Sequence, residues 1–264
     1  MKKVVSVLIV LCVVMSMVAV PTYSCYTVPE GMAEEDVVQD VRYWKQGIIP
    51  FTDDELITGK SGSSTIRRAA CSHFAMAYAL VKMGYLNPFE GDTPVTHIEN
   101  AREHNAFRTE WGYYAFEDSA KLYEGITYVG VEYISYMSRD EGLEYVKGLM
   151  EQGYYVIGII STPDTGGHCI FFDGINEDGT VSIGDSWFNG ITWEEYYGTV
   201  DTQWSYLEVL KCEDKPLLEQ PSIYDIPELE PVEVVRPMNS VEIRNRIYRL
   251  LPIFTMEDGI ISLS

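Results

Sequence analysis

The sequence predicts an α+β fold in which helices come first and an antiparallel sheet follows. Three observations carry this. Residues 70–83 are apolar nearly all round and stop at Gly84, so they form a helix that must lie inside the protein. From Tyr128 onward the apolar residues alternate or run in short β-branched stretches, which is the period of strands. Asn176-Glu177-Asp178-Gly179 separates two such stretches and is a hairpin turn signal.

Taken in order, residues 33–45 read as a short helix and Gly47–Pro50 as a loop. Gly59-Lys60-Ser61-Gly62-Ser63-Ser64 is a flexible polar stretch leading into the buried helix. Further helices are expected over 95–105, 115–123 and 139–151, the last opened by Arg139-Asp140-Glu141 with acids in its first turn. Strands are expected over 128–136, 154–160, 169–175, 180–183 and 203–210. After Cys212 come Pro216, Pro221, Pro227, Pro231 and Pro237 among acids, an extended segment, with a short helix from Asn239 or Ser240 to Leu251. The parts are therefore 1–24, an acidic extension over 25–60, a main domain over 61–212, and a Pro-rich acidic extension with a short helix over 213–264.

Residues 1–24 read as a secretory signal: Lys2 and Lys3, then an apolar run from Val4 to Val20, then small residues at Thr22 and Ser24. This implies a secreted or envelope-associated protein. Membrane contact enters only if that segment is retained or Cys25 is lipidated, and Thr22 stands where a lipid-attachment motif has Leu. The net charge of −21 opposes phosphate backbones and anionic lipid surfaces, so nucleic acid is excluded as a partner class. It is compatible with basic peptides. Oligomeric state is not legible.

Five cysteines occur, and Cys12 leaves with the signal. The remaining Cys25, Cys71, Cys169 and Cys212 are too few and scattered for a disulfide scaffold, although Cys169 and Cys212 are available to pair. No zinc-ligand spacing is present, so no metal or cofactor is implied. His97 and His104 can share a helix face, but further ligands are missing.

Three residues stand where nucleophilic catalysis needs them. Cys71 opens the buried helix, where unpaired N–H groups and the helix dipole favour a thiolate. Arg67 and Arg68 add positive charge, and the Cys71 N–H is a donor for an oxyanion. His168 follows Thr165-Gly166-Gly167 at the mouth of an apolar strand, placed to act as base. Asp185 ends the partner strand, and the turn at 176–179 brings it back beside His168, where it can orient the imidazole. Trp187 is positioned to shield that contact. His73 points away from Cys71 on the helix, and strand alternation sends Cys169 to the face opposite His168, as a core or disulfide residue. Asp173 and Asp178 read as sheet-end and turn residues. Trp187, Trp193, Tyr196, Tyr197 and Trp204 read as packing.

The stretch Ser64-Thr65-Ile66-Arg67-Arg68-Ala69-Ala70-Cys71-Ser72-His73-Phe74-Ala75-Met76 resembles the nucleophile region of papain-like cysteine peptidases of the bacteriocin-leader-peptidase-like (double-glycine peptidase-like) branch. Gly167–Ile175 and Val181–Trp187 resemble that family's histidine and aspartate strands, and the likeness spans about 61–210. It implies a helical half and an antiparallel sheet with the cleft between, and thiol-dependent cleavage of peptide or amide bonds in peptide or protein substrates. The sequence departs from the family at two places. Ala70 stands where the family often has Gly before the cysteine, and Thr65, with Ser64 beside it, stands where many members have an oxyanion-donating Gln. Ser64 and Thr65 are thus the oxyanion-hole candidates; Gln46, 25 residues before Cys71, reaches only through a long loop. Two rival readings keep the fold: an inactive binding module, motivated by Thr65, and a cell-wall amidohydrolase or acyltransferase with the same triad.

Overall fold

A computed structural model describes residues 38–46, 69–106, 114–163, 165–188 and 190–225. It also gives the backbone of two isolated hairpins: β1 (Glu55–Leu56) with β2 (Ser64–Thr65), and β8 (Phe254–Glu257) with β9 (Ile260–Leu263). The expected signal segment and the helix expected from 239 or 240 to 251 lie outside the described residues.

The protein is α+β, with its helices mostly before a five-stranded antiparallel sheet. Helices α1 (Cys71–Lys82), α2 (Pro94–Glu103), α3 (Phe116–Ala120) and α4 (Arg139–Glu151) precede or interrupt strands β3 (Ile126–Tyr133), β4 (Tyr155–Thr162), β5 (Thr165–Ile175), β6 (Val181–Gly184) and β7 (Gln203–Cys212), which line up as β3-β7-β4-β5-β6. The central strand β4 shows the unbroken apolar run of a strand covered on both faces: Tyr155, Val156, Ile157 and Ile160 are fully buried.

Helix α1 is the core of the helical half. Every residue from His73 to Lys82 is buried, as an all-round apolar pattern demands. Gly84 ends it with φ +75, a conformation that favours glycine. Helix α1 packs chiefly on β5, and this contact joins the two halves. Helix α2 starts at a capping box, with the Thr93 hydroxyl accepting from the Val95 and Thr96 N–H groups. Ser138 and Glu141 make the same box for α4. The hairpin β5–β6 turns at Gly179 (φ +85), where the Asn176 N–H donates to the Thr180 carbonyl.

Several expectations are corrected. The helix expected over 33–45 is broken at Asp40, whose backbone is extended and whose carboxylate caps a single 3-10 turn, Val41–Tyr43. The helix expected to 123 closes at Ala120. Strand β5 begins four residues earlier than expected, so Gly166 and Gly167 belong to the strand rather than to a loop. The extensions are not separate where they are described: Val41, Trp44, Leu217 and Ile223 are buried in the same core as the sheet and α1. Among the described residues, no helix is long and apolar enough to cross a membrane.

Candidate active site

Cys71 is the first residue of α1. Ala70 at the N-cap has no side chain to satisfy the first-turn N–H groups, so the positive end of the helix is left to the thiol. The sulfur is half-buried where the helix meets β5. It hydrogen-bonds with the Cys169 thiol, the His168 ring and the Cys169 backbone N–H. The Cys169 bond leads in holding the Cys71 thiol well below its ordinary range; burial opposes this, and the bond to His168 and its charge add to it.

His168 and Asp185 meet at one end of the β5–β6 hairpin. The ladder of their strands ends at Phe171 opposite Gly184, and His168 and Asp185 lie beyond that last pair, where their side chains meet. His168 Nε2 lies 2.8 Å from Asp185 Oδ1, and both side chains are buried. With Nε2 engaged, Nδ1 is the nitrogen left for Cys71. Burial pulls His168 down, but the Asp185 charge and hydrogen bond, with the Cys71 contact, lift it to about 10. Burial likewise raises Asp185, yet His168 and the Lys45 charge bring its net position below the ordinary carboxylate value.

Asp185 is itself held from several sides. Oδ1 accepts from the backbone N–H of Trp187 (2.7 Å) and Phe188 (3.3 Å), and Oδ2 from the Tyr197 hydroxyl (2.5 Å). Burial, then Asp185, pushes the Tyr197 hydroxyl well above its ordinary value, so it stays a donor. The Trp187 ring lies 6.4 Å from the His168 ring.

The N-terminal segment completes the site, and no local signal in its sequence announces this. Lys45 is buried and donates to the backbone carbonyls of Asp185 and of Phe188 (2.6 Å). Burial lowers it to about 8, against the pull of Asp185. The Gln46 N–H donates to the Ser186 carbonyl (3.0 Å), and the Ser186 hydroxyl donates to Gln46 Oε1 (2.7 Å). Tyr78 of α1 donates to the carbonyls of Trp44 (2.5 Å) and Asp185 (3.3 Å). Gln46 therefore sits against the residue after Asp185, although 25 positions separate it from Cys71 in sequence.

Of the predicted site residues, Cys71, His168 and Asp185 come together. Ser64 and Thr65 are described only as backbone of a two-residue strand paired with Glu55–Leu56, and Arg67 and Arg68 lie outside the described residues. Cys169 is not turned away as expected: it reaches Cys71, and its sulfur is 3.2 Å from the Ser72 hydroxyl. Between Ile160↔His168 and Thr162↔Thr165, β5 carries one residue more than β4, a bulge just before His168, while His168 and Cys169 themselves pair in regular register with Ile160 and Ile159. Cys169 and Cys212 are both free, so the available pairing is not made.

His73 does point away from Cys71, with its ring edge-on to Tyr114 at 4.3 Å. His97 has its two nitrogens on the hydroxyls of Tyr123 (2.8 Å) and Tyr114, and burial takes it down to about 3. Asp173 is not at a sheet end; it is buried inside β5, in an ion pair with Lys82 at 3.1 Å. Trp193 and Trp204 stack at 5.0 Å in the core, whereas Tyr197 from the same cluster serves Asp185.

Among the described residues no group of His, Cys, Asp and Glu is arranged to hold a metal ion. No protein-family model, curated protein or solved structure matches the chain. The arrangement is a half-buried thiol in hydrogen bonding with an imidazole that a buried carboxylate helps keep charged. Such a group can attack an electrophilic carbonyl and then return a proton to the leaving group.

Proposed function

We propose that this chain is a papain-like cysteine hydrolase that cleaves peptide or amide bonds outside the cytoplasm or at the cell envelope. The observation that carries the reading is His168, engaged through Nε2 by a buried carboxylate while its other nitrogen is left to a thiol at a helix N-terminus. Export is taken from the N-terminal residues.

The Cys71 thiolate attacks the carbonyl carbon, and the carbonyl oxygen takes up the charge. The Cys71 N–H at the head of α1 is one donor to that oxygen. Gln46 is the second: Ser186 engages its carbonyl oxygen, which makes the amide nitrogen the donating end. The proposal takes Gln46 in preference to Ser64 and Thr65, whose side chains lie outside the described residues; the inactive binding module stays as the rival reading. The His168 imidazolium gives its proton to the departing amine, leaving a thioester on Cys71. His168 then takes a proton from water, whose oxygen attacks the thioester and releases the acid. Asp185 holds the imidazole in orientation throughout.

The test is labelling and turnover of the wild type against Cys71→Ala and His168→Ala on a peptide library. Rapid alkylation of Cys71 by iodoacetamide at neutral pH, with peptide cleavage abolished in both variants, is expected. Slow, ordinary thiol alkylation without turnover would return the binding module. Clearing of purified peptidoglycan without peptide cleavage would move the substrate to the cell wall.

A further inference from the structure

The nucleophile has a second cysteine in contact with it. Cys71 opens α1 and Cys169 follows the base on β5; the two sulfurs are hydrogen-bonded, and Ser72, next in the helix, holds the Cys169 sulfur at 3.2 Å. In hydrolysis by the triad Cys169 supports the Cys71 thiolate, but no bond to its own sulfur is made or broken. A buried apolar contact would serve equally well for packing, and a thiol facing a thiolate is a liability in an exported protein unless the pair is used.

We propose that Cys71 and Cys169 are a redox modification site, in which Cys169 resolves the oxidised nucleophile into a reversible disulfide. Exposure assigns the roles. Cys71 is half-buried and within reach of a small hydroperoxide, while Cys169 is only 7% exposed. The Cys71 bond and burial also keep the Cys169 thiol well above its ordinary range, so it is protonated while Cys71 is ionised. The Cys71 thiolate therefore reacts first. It attacks one oxygen of the hydroperoxide; the O–O bond breaks, the sulfur becomes a sulfenic acid, and the His168 imidazolium protonates the departing oxygen. Neutral His168 next takes the Cys169 proton. The Cys169 sulfur attacks the Cys71 sulfur, the S–O bond breaks, and His168 returns the proton so that water leaves. Two thiols have lost two electrons to one hydroperoxide. A dithiol reductant reverses the change by thiol–disulfide exchange. Forming the bridge brings the sulfurs from hydrogen-bond contact to about 2.05 Å. The bridge occupies the nucleophile and keeps it from further oxidation to the sulfinic acid.

The inference rests on Cys71 being the ionised nucleophile of the proposed hydrolase, and its test does not use hydrolysis as the readout. The full chain, reduced and then freed of reductant, is exposed to hydrogen peroxide and mapped by peptide mass spectrometry. The expected result is a Cys71–Cys169 cross-linked peptide, with loss of iodoacetamide labelling at Cys71 that a dithiol restores. Cys169→Ser should give Cys71 sulfinic acid and no recovery; Cys169→Ala repeats the test should the serine variant not fold, and mapping of the wild type decides by itself. A wild type that gives sulfinic acid without a bridge, or a bridge to Cys212 or Cys25 instead, overturns the inference. A bridge in a chain that cleaves no amide when reduced would sink the hydrolase and leave the dithiol site standing.

Discussion

Asp185→Asn isolates the carboxylate charge from its shape. Oδ1 of an asparagine still accepts from His168, Trp187 and Phe188, and the amide nitrogen faces the Tyr197 hydroxyl oxygen, which can turn to accept. What disappears is the negative charge that helps lift His168 from 6.5 to about 10 against burial. An opposite charge in contact is worth about 1–3 pH units, or roughly 1–4 kcal/mol of thiolate–imidazolium stability. The sign follows from which form is favoured. His168 has its charge raised by the fold, so the ion pair is complete at neutral pH and is lost as pH rises through about 10. In Asp185→Asn that loss arrives earlier, by about 1–3 pH units. The assay is the rate of peptide cleavage against pH, run beside alkylation of Cys71 by iodoacetamide. Coincident alkaline limbs in wild type and Asp185→Asn would mean that the imidazolium owes nothing to Asp185, and the triad would fall.

Gln46→Ala should lower kcat by about 10²–10³-fold, while iodoacetamide alkylation, which forms no oxyanion, keeps its rate; a parallel fall in both would make Gln46 a support for the Ser186 loop instead. Lys45→Met takes the donor from the Phe188 carbonyl and leaves the Asp185 carbonyl only the longer bond from Tyr78, and should cost about 1–3 kcal/mol in urea unfolding; an unchanged midpoint would count against it. Gly184→Ala drives a methyl to 2.6 Å from the Tyr78 ring, and should cost about 1–3 kcal/mol, read as a fall in Tm. Lys82→Met leaves Asp173 buried without its cation and should cost about 3–5 kcal/mol, partly regained by adding Asp173→Leu; a single variant as stable as the wild type would refute the pairing.

What the sequence made legible is what local pattern controls. The all-round apolar run around Phe74–Val81, the acidic first turn of α4, and the β5–β6 hairpin each specify themselves within a dozen residues. Because the hairpin turn is local, so is the meeting of His168 with Asp185. The parts it missed depend on segments distant in sequence. Lys45 and Gln46 meet Asp185 and Ser186 across some 140 positions, and nothing around Trp44 announces a destination. Asp173 sits within an apolar strand, and only the arrival of Lys82 and of the Ser222 hydroxyl (2.6 Å) explains it. Cys169 meets Cys71 and Ser72 across the α1–β5 interface, a tertiary contact that alternation along one strand does not report; the extra residue of β5 lies ahead of His168, at Gly166-Gly167. The glycines there were legible as a signal, but as a bulge rather than a loop.

The buried lysines bear on how the site keeps its geometry. Cys71 and Lys82 are the first and last residues of α1, while His168 and Asp173 lie on β5, where α1 packs. Eleven helical steps span about 16 Å, and five strand steps span about 17 Å. The Cys71–His168 contact and the Lys82–Asp173 pair therefore fall at matching intervals on the two elements. A helix tied to a strand at one point can rock about it; tied at two, it has a single register. A slip of one strand residue, about 3.4 Å, would carry the imidazole out of reach of the sulfur. Lys45 then fixes the third member by gripping the backbone of Asp185 itself. In a chain with 19 basic and 40 acidic residues, Lys45 and Lys82 are the buried lysines among the described residues, and each holds an element that bears part of the triad. Cations are withdrawn from an already acidic surface and set inside, where the thiol and the imidazole need their separation fixed.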